Sequence, residues 1–190
     1  MKTIEIMKTL NPISIDEANE NSKLILESIN KKIGMIPNLY AAMGTSDKLL
    51  GGFLTFQETI KSGEFTNKEY EAIALATSQA NSCNYCLSAH TTLGKMNGFS
   101  EEETLNIRTN TVADSKLNAL VTLASEISES KGHPSQKAVD TFFNERYSKA
   151  AFAELIAAIA LTTITNYVFH NGGFEIDFPV AQPVEMHPEI

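Results

Sequence analysis

A helix-start signal that occurs three times constrains the fold of this chain more than any other feature. In a capping box, a Ser or Thr and a Glu three residues later satisfy each other's backbone N–H groups at the first turn of a helix. The chain has this pattern at Ser14–Glu17, Thr66–Glu69 and Ser100–Glu103. No stretch shows the alternation of apolar and polar residues that is typical of strands. The sequence therefore predicts an all-α fold.

Start and stop signals divide the chain into about eight or nine helices. The first capping box predicts a helix from Ser14 to about Lys32, stopped by Gly34. Later helices are predicted to start at or near Asn38, Ser46, Thr66, Cys83, Ser100, Asp114, Ser135 and Ser148. No Gly/Ser linker or low-complexity segment interrupts them. We therefore expect a single-domain helical bundle over residues 1–190, with an irregular tail at 174–190 that contains three prolines.

Charge and hydropathy exclude several classes of protein. The net charge is −8 and no basic stripe is present, which argues against a nucleic-acid partner. Residues 1–8 lack the long apolar core of a secretory signal. The apolar stretch 151–170 is nearly long enough to span a bilayer, but it contains Glu154 and Asn166, which favours a buried or oligomer-interface helix. We expect a cytoplasmic protein without a membrane partner, where a close cysteine pair serves catalysis or metal binding.

Both cysteines lie in one window with a histidine, in the pattern C-x-x-C-x-x-x-H. Cys83, Cys86 and His90 are offset by three and then four residues. Because a helix returns to the same face after three or four residues, the three side chains would form one stripe. Two thiols one turn apart can form a disulfide, and an imidazole can shuttle a proton. This spacing makes the three residues the first candidate site.

Two other interpretations of the pattern remain open at this point. The cysteines can be buried packing residues, since free Cys is among the most buried residue types. The pattern is also half of a zinc site, but structural zinc usually takes a second Cys/His pair. The other histidines are distant and isolated: His133, His170 and His187.

Two further expectations concern acidity. Cys83 follows a break between two apolar helices, so its position at a helix N-terminus predicts that it is the more acidic and exposed thiol. Glu71, in the preceding helix, either faces solvent or lies in the groove between the helices against the cysteines. In the groove, desolvation would raise its pKa and make it a usable base.

Three segments together resemble a known superfamily. The stretch from Glu71 to His90, within a core signature at 66–98, resembles alkylhydroperoxidase D and carboxymuconolactone decarboxylase proteins, in particular their peroxidase-related branch. Residues 34–39 resemble the entry motif of that branch. Residues 165–170 and 177–179 resemble its C-terminal signature.

The resemblance implies a fold and a chemistry. It implies an all-helical bundle that assembles into trimers or hexamers, and thiol-dependent reduction of hydroperoxides without metal, haem or another cofactor. Cys86 would be the peroxidatic cysteine and Cys83 the resolving one, with Glu71 as base through Cys83, His90 or a water. A dithiol protein or a small thiol would regenerate the pair.

One position departs from the superfamily pattern. The best-studied alkylhydroperoxidase D proteins have a histidine between the cysteines, where this chain has Tyr85. A phenol is no base near neutral pH, so proton transfer would depend on Glu71 and His90. The alternatives are a carboxymuconolactone decarboxylase-like enzyme, which should not need both cysteines, and a non-catalytic helical oligomer that senses redox state.

Overall fold

The computed structural model describes residues 9–184, and these residues form an all-helical fold. The prediction of an all-α fold with eight or nine helices is confirmed for this part of the chain. The expectation about residues 1–8 and the position of His187 lie outside it. In chain order the helices are α1 (Glu20–Ile33), α2 (Asn38–Met43), α3 (Asp47–Lys61), α4 (Asn67–Ala80), α5 (Asn84–Met96), α6 (Glu101–Arg108), α7 (Ser115–Glu129), α8 (Gln136–Asn144) and α9 (Lys149–His170).

Two of the three capping boxes form as predicted, and the first does not start its helix. Thr66–Glu69 and Ser100–Glu103 make both reciprocal bonds at the starts of α4 and α6. At Ser14 the N–H and the hydroxyl both donate to the Glu17 carboxylate at 2.8 Å, but these bonds close a single turn, and α1 begins only at Glu20. The reason is Asn19, a strong N-cap residue in extended conformation, whose side chain accepts the N–H of residue 22 at 2.9 Å.

Helix α4 lies at the centre of the fold. It packs against α5, α7, α9 and α6, and all its residues from 70 to 78 are buried. Its mixture of Ala, Leu, Thr and Ser therefore meets protein on every side. A polar residue within this buried stretch cannot face solvent, which decides the environment of Glu71.

Two groups of buried side chains form the interior. The first core is built mainly from α4, α7, α8 and the first half of α9, and consists of Phe65, Tyr70, Ala72, Ile73, Leu75, Ala76, Leu87, Phe99, Ile107, Leu120, Val121, Leu123, Ala124, Ile127, Ala138, Phe142, Ala151, Leu155, Ala158 and Ile159. The second core joins α1, α2, α3, the start of α5 and the second half of α9, and consists of Leu26, Leu39, Ala42, Met43, Leu50, Phe53, Cys83, Tyr85, Cys86, Leu161 and Val168. Both cysteines thus lie in the second core.

Helix α9 connects the two cores. Among residues 9–184 it is the one helix long and apolar enough to cross a membrane, and 44% of its most apolar window is buried in the fold. It packs against α4 and α3. After α9, residues 173–184 form neither helix nor strand, and they run back over α5 and α2.

Candidate active site

A tight link between α4 and α5 brings the two cysteines together. Asn81 ends α4, and Ser82 takes a left-handed conformation with φ 55°, which turns the chain at once into α5. The Cys83 N–H donates to the Ser78 carbonyl at 2.9 Å, and Cys83 is the N-cap of α5. Cys86 and His90 follow inside that helix. The predicted break is therefore present, and it fixes the backbone on both sides of the cysteine pair.

The two thiols are reduced, buried and in contact. Their sulfurs are 2.7 Å apart, with Cys83 donating to Cys86, and no disulfide joins them. The Cys86 N–H also donates to the Cys83 sulfur, at 3.4 Å. Cys83 is 0% exposed and Cys86 1% exposed. Their distance allows a disulfide to form with little movement of the backbone.

The two thiols have opposite acidities. Burial raises the pKa of Cys86, but the hydrogen bond from Cys83, the charge of His90 and a hydrogen bond from Asn166 outweigh burial, so this pKa falls to about 7. The pKa of Cys83 is raised, first because it donates to Cys86 and then because it is buried. The expectation that Cys83 is the more acidic and exposed thiol is wrong. Its helix-terminal position is real, but its proton is held by the neighbouring sulfur.

Glu71 is the middle member of an ion-pair chain that also contains His90 and Lys61. Its carboxylate contacts His90 Nδ1 at 2.6 Å through Oε2 and Lys61 Nζ at 3.2 Å through Oε1. Glu71 is 1% exposed, so the solvent-facing alternative is wrong. Burial raises its pKa, yet the charges and hydrogen bonds of His90 and Lys61 lower it further, and the net shift is downward. The expected rise in this pKa is therefore also wrong, because it considered burial but not the charges and hydrogen bonds of His90 and Lys61.

An ionised Glu71 settles the tautomer of the histidine. A carboxylate can only accept at Oε2, so His90 Nδ1 carries the hydrogen of this bond. The other ring nitrogen is then free to take up or release a proton on the side away from Glu71. Lys61, from the end of α3, was not identified in the sequence. The one feature of the sequence that pointed to Lys61 was its position in the last turn of a predicted helix.

Helix α9 adds two polar residues beside the sulfurs. Thr165 Oγ1 lies 3.8 Å from the Cys86 sulfur. Asn166 is fully buried, accepts from Asn81 Nδ2 at 2.8 Å and donates to Ser78 Oγ at 3.3 Å. The sequence analysis placed both residues in a C-terminal signature and used Asn166 to argue against a membrane span, but assigned neither to the site. A polar pair in the middle of an apolar helix was the available signal.

Tyr85 has a structural role and is not part of the proton relay. Its hydroxyl accepts the Leu39 N–H at 3.3 Å, and its ring packs edge-on against Phe174 and Phe178. Burial, and then the neighbouring Asp177, raise its pKa. Asp177 accepts the N–H of residue 38 at 2.6 Å, at the start of α2. Thus residues 174–178 cover the start of α5 within the same chain.

The remaining histidines lie away from the cysteines. His170 is the last residue of α9, exposed and beside the rings of Tyr167 and Phe169. His133 is an exposed residue of the loop before α8. Within residues 9–184 no three His, Cys, Asp or Glu side chains are grouped so that they could hold a metal ion.

A surface groove borders Lys61, one member of the ion-pair chain. It has a volume of about 750 Å³ and lies between α1 and α3. Lys61 and Tyr40 both belong to its lining, and burial and the nearby Glu71 raise the pKa of Tyr40 to about 12. The lining residues are Leu24, Ile25, Ser28, Ile29, Lys32, Ile33, Tyr40, Leu54, Gln57, Glu58, Lys61 and Ser62. Ile25, Ile29, Tyr40 and Leu54 also pack against the second core.

Several solved structures share this fold. A cysteine-to-alanine variant of the debrominase Bmp8 in complex with 2,3,4-tribromopyrrole superposes with a TM-score of 0.75 at 20% identity over 93% of each chain. A peroxidase-related protein from Silicibacter sp. TM1040 gives 0.73 at 18% identity over 88% of this chain and 90% of its own. A peroxidase-related protein from Ralstonia eutropha JMP134, with an alkylhydroperoxidase AhpD core, gives 0.72 at 15% identity over 84% and 88%.

Comparison of sequences finds a known family in the middle of the chain. None of the curated proteins is significantly similar in sequence to the whole chain. The profile of the carboxymuconolactone decarboxylase family matches residues 48–127. This segment holds Lys61, Glu71, both cysteines and His90, whereas Asn166 lies outside it. Residues 48–127 thus match the carboxymuconolactone decarboxylase family, and the chain shares the helical fold of the structures with an alkylhydroperoxidase AhpD core.

Proposed function

We propose that the protein is a cysteine-based hydroperoxide reductase in which Cys86 attacks the peroxide and Cys83 resolves the product. The observation that carries the proposal is the pair itself. A buried thiol with a pKa of about 7 lies 2.7 Å from a second thiol whose pKa is raised. At neutral pH one sulfur is thus a nucleophile and the other keeps its proton, which is the division of labour that a two-cysteine peroxidase needs.

The reaction proceeds in two balanced steps. The Cys86 thiolate attacks the outer oxygen of ROOH, the O–O bond breaks, and the leaving alkoxide takes a proton to give ROH and a sulfenic acid on Cys86. The Cys83 thiol then attacks that sulfur, and water leaves with the Cys83 proton as the disulfide forms. The short distance between the sulfurs favours the second step over further oxidation.

His90 donates the proton that the first step needs, and Glu71 positions His90. The charge of His90 is one of the causes that lower the pKa of Cys86, so a protonated imidazole stabilises the thiolate. The same imidazolium can give a proton to the alkoxide, and Glu71 holds its ring in place at 2.6 Å. Lys61 keeps Glu71 ionised by its own charge. The relay works without a histidine at the position of Tyr85.

The groove between α1 and α3 gives an organic hydroperoxide a route to this relay. Half of its lining side chains are apolar, and Lys61, which contacts Glu71, belongs to the same lining. A concave site that combines apolar side chains with polar groups is typical of sites for small organic ligands. We therefore propose organic hydroperoxides rather than hydrogen peroxide as the main substrates.

Regeneration and assembly complete the proposal. We propose that the enzyme is cytoplasmic and that a dithiol protein or a small thiol reduces the disulfide after each turnover. A homo-oligomer, trimer or hexamer, would cover the apolar side chains that α9 leaves exposed, which include Ile156 at 48% and Tyr167 at 58% exposed. Neither nucleic acid nor membrane is part of the proposal.

The test compares the same substitution at the two cysteines. With cumene hydroperoxide and a dithiol reductant, Cys86→Ser should lower turnover by at least ~1,000-fold, because the nucleophile is lost. Cys83→Ser should also stop turnover, but should still consume one peroxide per chain and leave a sulfenic acid on Cys86, which mass spectrometry detects after dimedone trapping. The two variants thus separate the attacking thiol from the resolving thiol.

Two outcomes would contradict the proposal. Unchanged peroxide turnover in Cys86→Ser would exclude the thiol mechanism and favour a decarboxylase-like enzyme that does not need both cysteines. If peroxide oxidised neither thiol of the native protein, the enzyme and the redox-sensor interpretations would both fail, and the cysteines would be packing residues.

A further inference from the structure

The groove between α1 and α3 has a direction, because the two helices that form it run parallel. Near their starts, Asn21 Nδ2 donates to Asp47 Oδ2 at 3.1 Å. One turn further along both helices, a methyl group on Gly51 would lie 3.4 Å from Cδ1 of Ile25. Contacts that advance in the same sense along two helices place their last turns at the same end of the groove.

The end of the groove nearer the helix starts is apolar. Leu24 and Ile25 line it from α1, and Leu54 lines it from α3. Further along α1, the lining residues 28, 29, 32 and 33 continue the same face of the helix, since they recur every three or four positions. Leu24 is 66% exposed, so this end of the cavity presents a large apolar side chain that a ligand can cover.

The other end of the groove contains two lysines. Lys32 lies in the last turn of α1 and Lys61 in the last turn of α3, and both line the cavity. Lys61 Nζ is already held, 3.2 Å from Glu71 Oε1 and 4.5 Å from the centre of the Tyr70 ring. Lys32 is exposed, and in the part of the chain that the structure describes it forms no ion pair. Lys32 is therefore the lysine whose charge a ligand can use.

The cavity distinguishes Lys32 from an ordinary lysine at a helix end. A cation in the last turn offsets the negative end of the helix dipole, and Lys31 in the same turn does so without lining the groove. Two lysines and one acidic side chain, Glu58, line the cavity, although the whole chain has a net charge of −8. An apolar end and a cationic end together are complementary to an amphiphilic anion and disfavour a cation.

The dimensions of the groove set the size of such a ligand. The lining residues of α1 extend from Leu24 to Ile33, which is about 14 Å along the helix axis. An extended chain of roughly ten carbons has a similar length. The volume of about 750 Å³ lies within the range of cavities that hold small organic molecules.

We propose that the groove binds an apolar organic acid: the carboxylate pairs with Lys32, and the hydrocarbon part lies along Leu24, Ile25 and Leu54. Lys32 is the residue that selects an acid over a neutral compound of the same shape. Binding of the acid does not depend on the reaction of the cysteines. Only the statement that the acid carries the hydroperoxide group, as the substrate of Cys86, rests on the function proposed above.

The experiment is isothermal titration calorimetry of the full chain with decanoate, below its micelle concentration, and with 1-decanol. Decanoate should bind to a single site on the chain. Lys32→Met keeps the aliphatic part of the side chain and should weaken decanoate binding about three- to fivefold, because an exposed ion pair is lost. It should weaken 1-decanol binding less. The matched control is Lys31→Met, which removes the same charge from the same turn and should leave both affinities unchanged.

A second variant tests the apolar end of the groove. Leu24→Ser should weaken the binding of decanoate and of 1-decanol by a similar factor, because it removes apolar contact that both probes make. If both affinities stayed unchanged in this variant, the hydrocarbon part would lie elsewhere and the assignment of the groove would be wrong.

Three results with the lysine variants would overturn the inference. They are no decanoate binding to the native chain, equal decanoate affinity in the native chain and Lys32→Met, and an equal loss of affinity in Lys31→Met and Lys32→Met. The last result would show a general effect of charge and no site.

A peroxide assay separates this inference from the proposed function. The ratio of kcat/KM for linoleic acid hydroperoxide to that for cumene hydroperoxide should fall in Lys32→Met and stay constant in Lys31→Met. A constant ratio in Lys32→Met would overturn the assignment of the acid as substrate. If the native chain reduces neither hydroperoxide, the proposed function fails, and the decanoate titrations still decide what the groove binds.

Discussion

The two cores of this protein are built largely from different helices and contain different kinds of side chain. The first core is almost wholly apolar, with side chains such as Phe142, Leu120 and Leu123 fully buried. The second core holds both thiols and the Tyr85 phenol, and the buried polar side chains of Glu71 and Asn166 adjoin it. Helices α4 and α9 contribute to both regions.

This difference shows where a helical fold can hold reactive side chains. Apolar burial stabilises the first core in proportion to its area and needs no particular geometry. In the second core every buried polar atom needs a partner, and the partners come from α3, α4, α5 and α9 at once. A thiol pKa of about 7 and an ionised buried carboxylate exist there because those four helices converge. Variants that affect one core and not the other test this division.

The largest effect on stability is expected in the first core. Phe142 is fully buried and stacks on the Tyr147 ring at 4.4 Å. Phe142→Ala should lower the free energy of unfolding by about 3–5 kcal/mol, because it leaves a cavity. Urea unfolding measures this loss. The thiol titration of the folded variant should be unchanged, and a shifted Cys86 pKa would show that the two cores are not independent.

A smaller loss of stability, combined with a change in chemistry, is expected from Glu71→Gln. Removing one partner of a buried ion pair leaves the others unpaired, and we expect a loss of about 3 kcal/mol, since the Lys61 side chain is 31% exposed and can reach water. Peroxide turnover should fall as well, because His90 loses the group that orients it. The matched control is Glu69→Gln, two residues away in the capping box of α4, which should cost about 1 kcal/mol or less and leave turnover unchanged.

The pH dependence of this loss has a definite sign. The pKa of Glu71 is lower in the folded protein than its ordinary value of 4.5, so its ionised form stabilises the fold. That contribution is fully present above the unfolded pKa and disappears as the pH falls through the folded value. The difference in unfolding free energy between the native protein and Glu71→Gln should therefore be constant near pH 7 and shrink below about pH 4. A difference that grew in acid would contradict the ion-pair assignment.

The rate of peroxide reduction should depend on the ionisation of the second core. With a Cys86 pKa of about 7, kcat/KM for an organic hydroperoxide should rise through pH 7 and level off above it. Below pH 7 each unit should lower the rate about tenfold, roughly 1.4 kcal/mol of activation free energy. Phe142→Ala should keep the midpoint of this profile. A midpoint near that of an ordinary cysteine would show that the second core does not activate the thiol.

The smallest effect concerns the segment that covers the second core. Asp177 accepts the N–H at the start of α2 at 2.6 Å, close to the ring of Tyr85. Asp177→Asn keeps the shape but loses the charge, so we expect about 1 kcal/mol of lost stability and faster reaction of the thiols with a disulfide reagent. The control is Glu175→Gln in the same segment, whose side chain is exposed. Equal thiol reactivity in the two variants would show that this segment does not cover the cysteines.

Much of the fold and part of the site were predictable because they depend on local sequence. The starts of α4 and α6 follow from bonds between residues three positions apart, as does the position of Cys83 at the start of α5. Even the error at Ser14 was local, since Asn19 competes as an N-cap a few residues later. Glu71 and His90 were named from their spacing to the cysteines, and the structure joins them at 2.6 Å.

The sequence by itself determined most of the helices, the close spacing of the two cysteines and the match of residues 48–127 to a family. The tertiary structure alone decided that Glu71 is buried yet ionised, that Cys86 rather than Cys83 is the acidic thiol, and that Lys61 and Asn166 belong to the site. The physical reason is that an acidity depends on desolvation and on every charge and donor within a few ångströms. For Cys86 some of these groups come from 79 or more residues away along the chain, and no spacing within one helix reveals them.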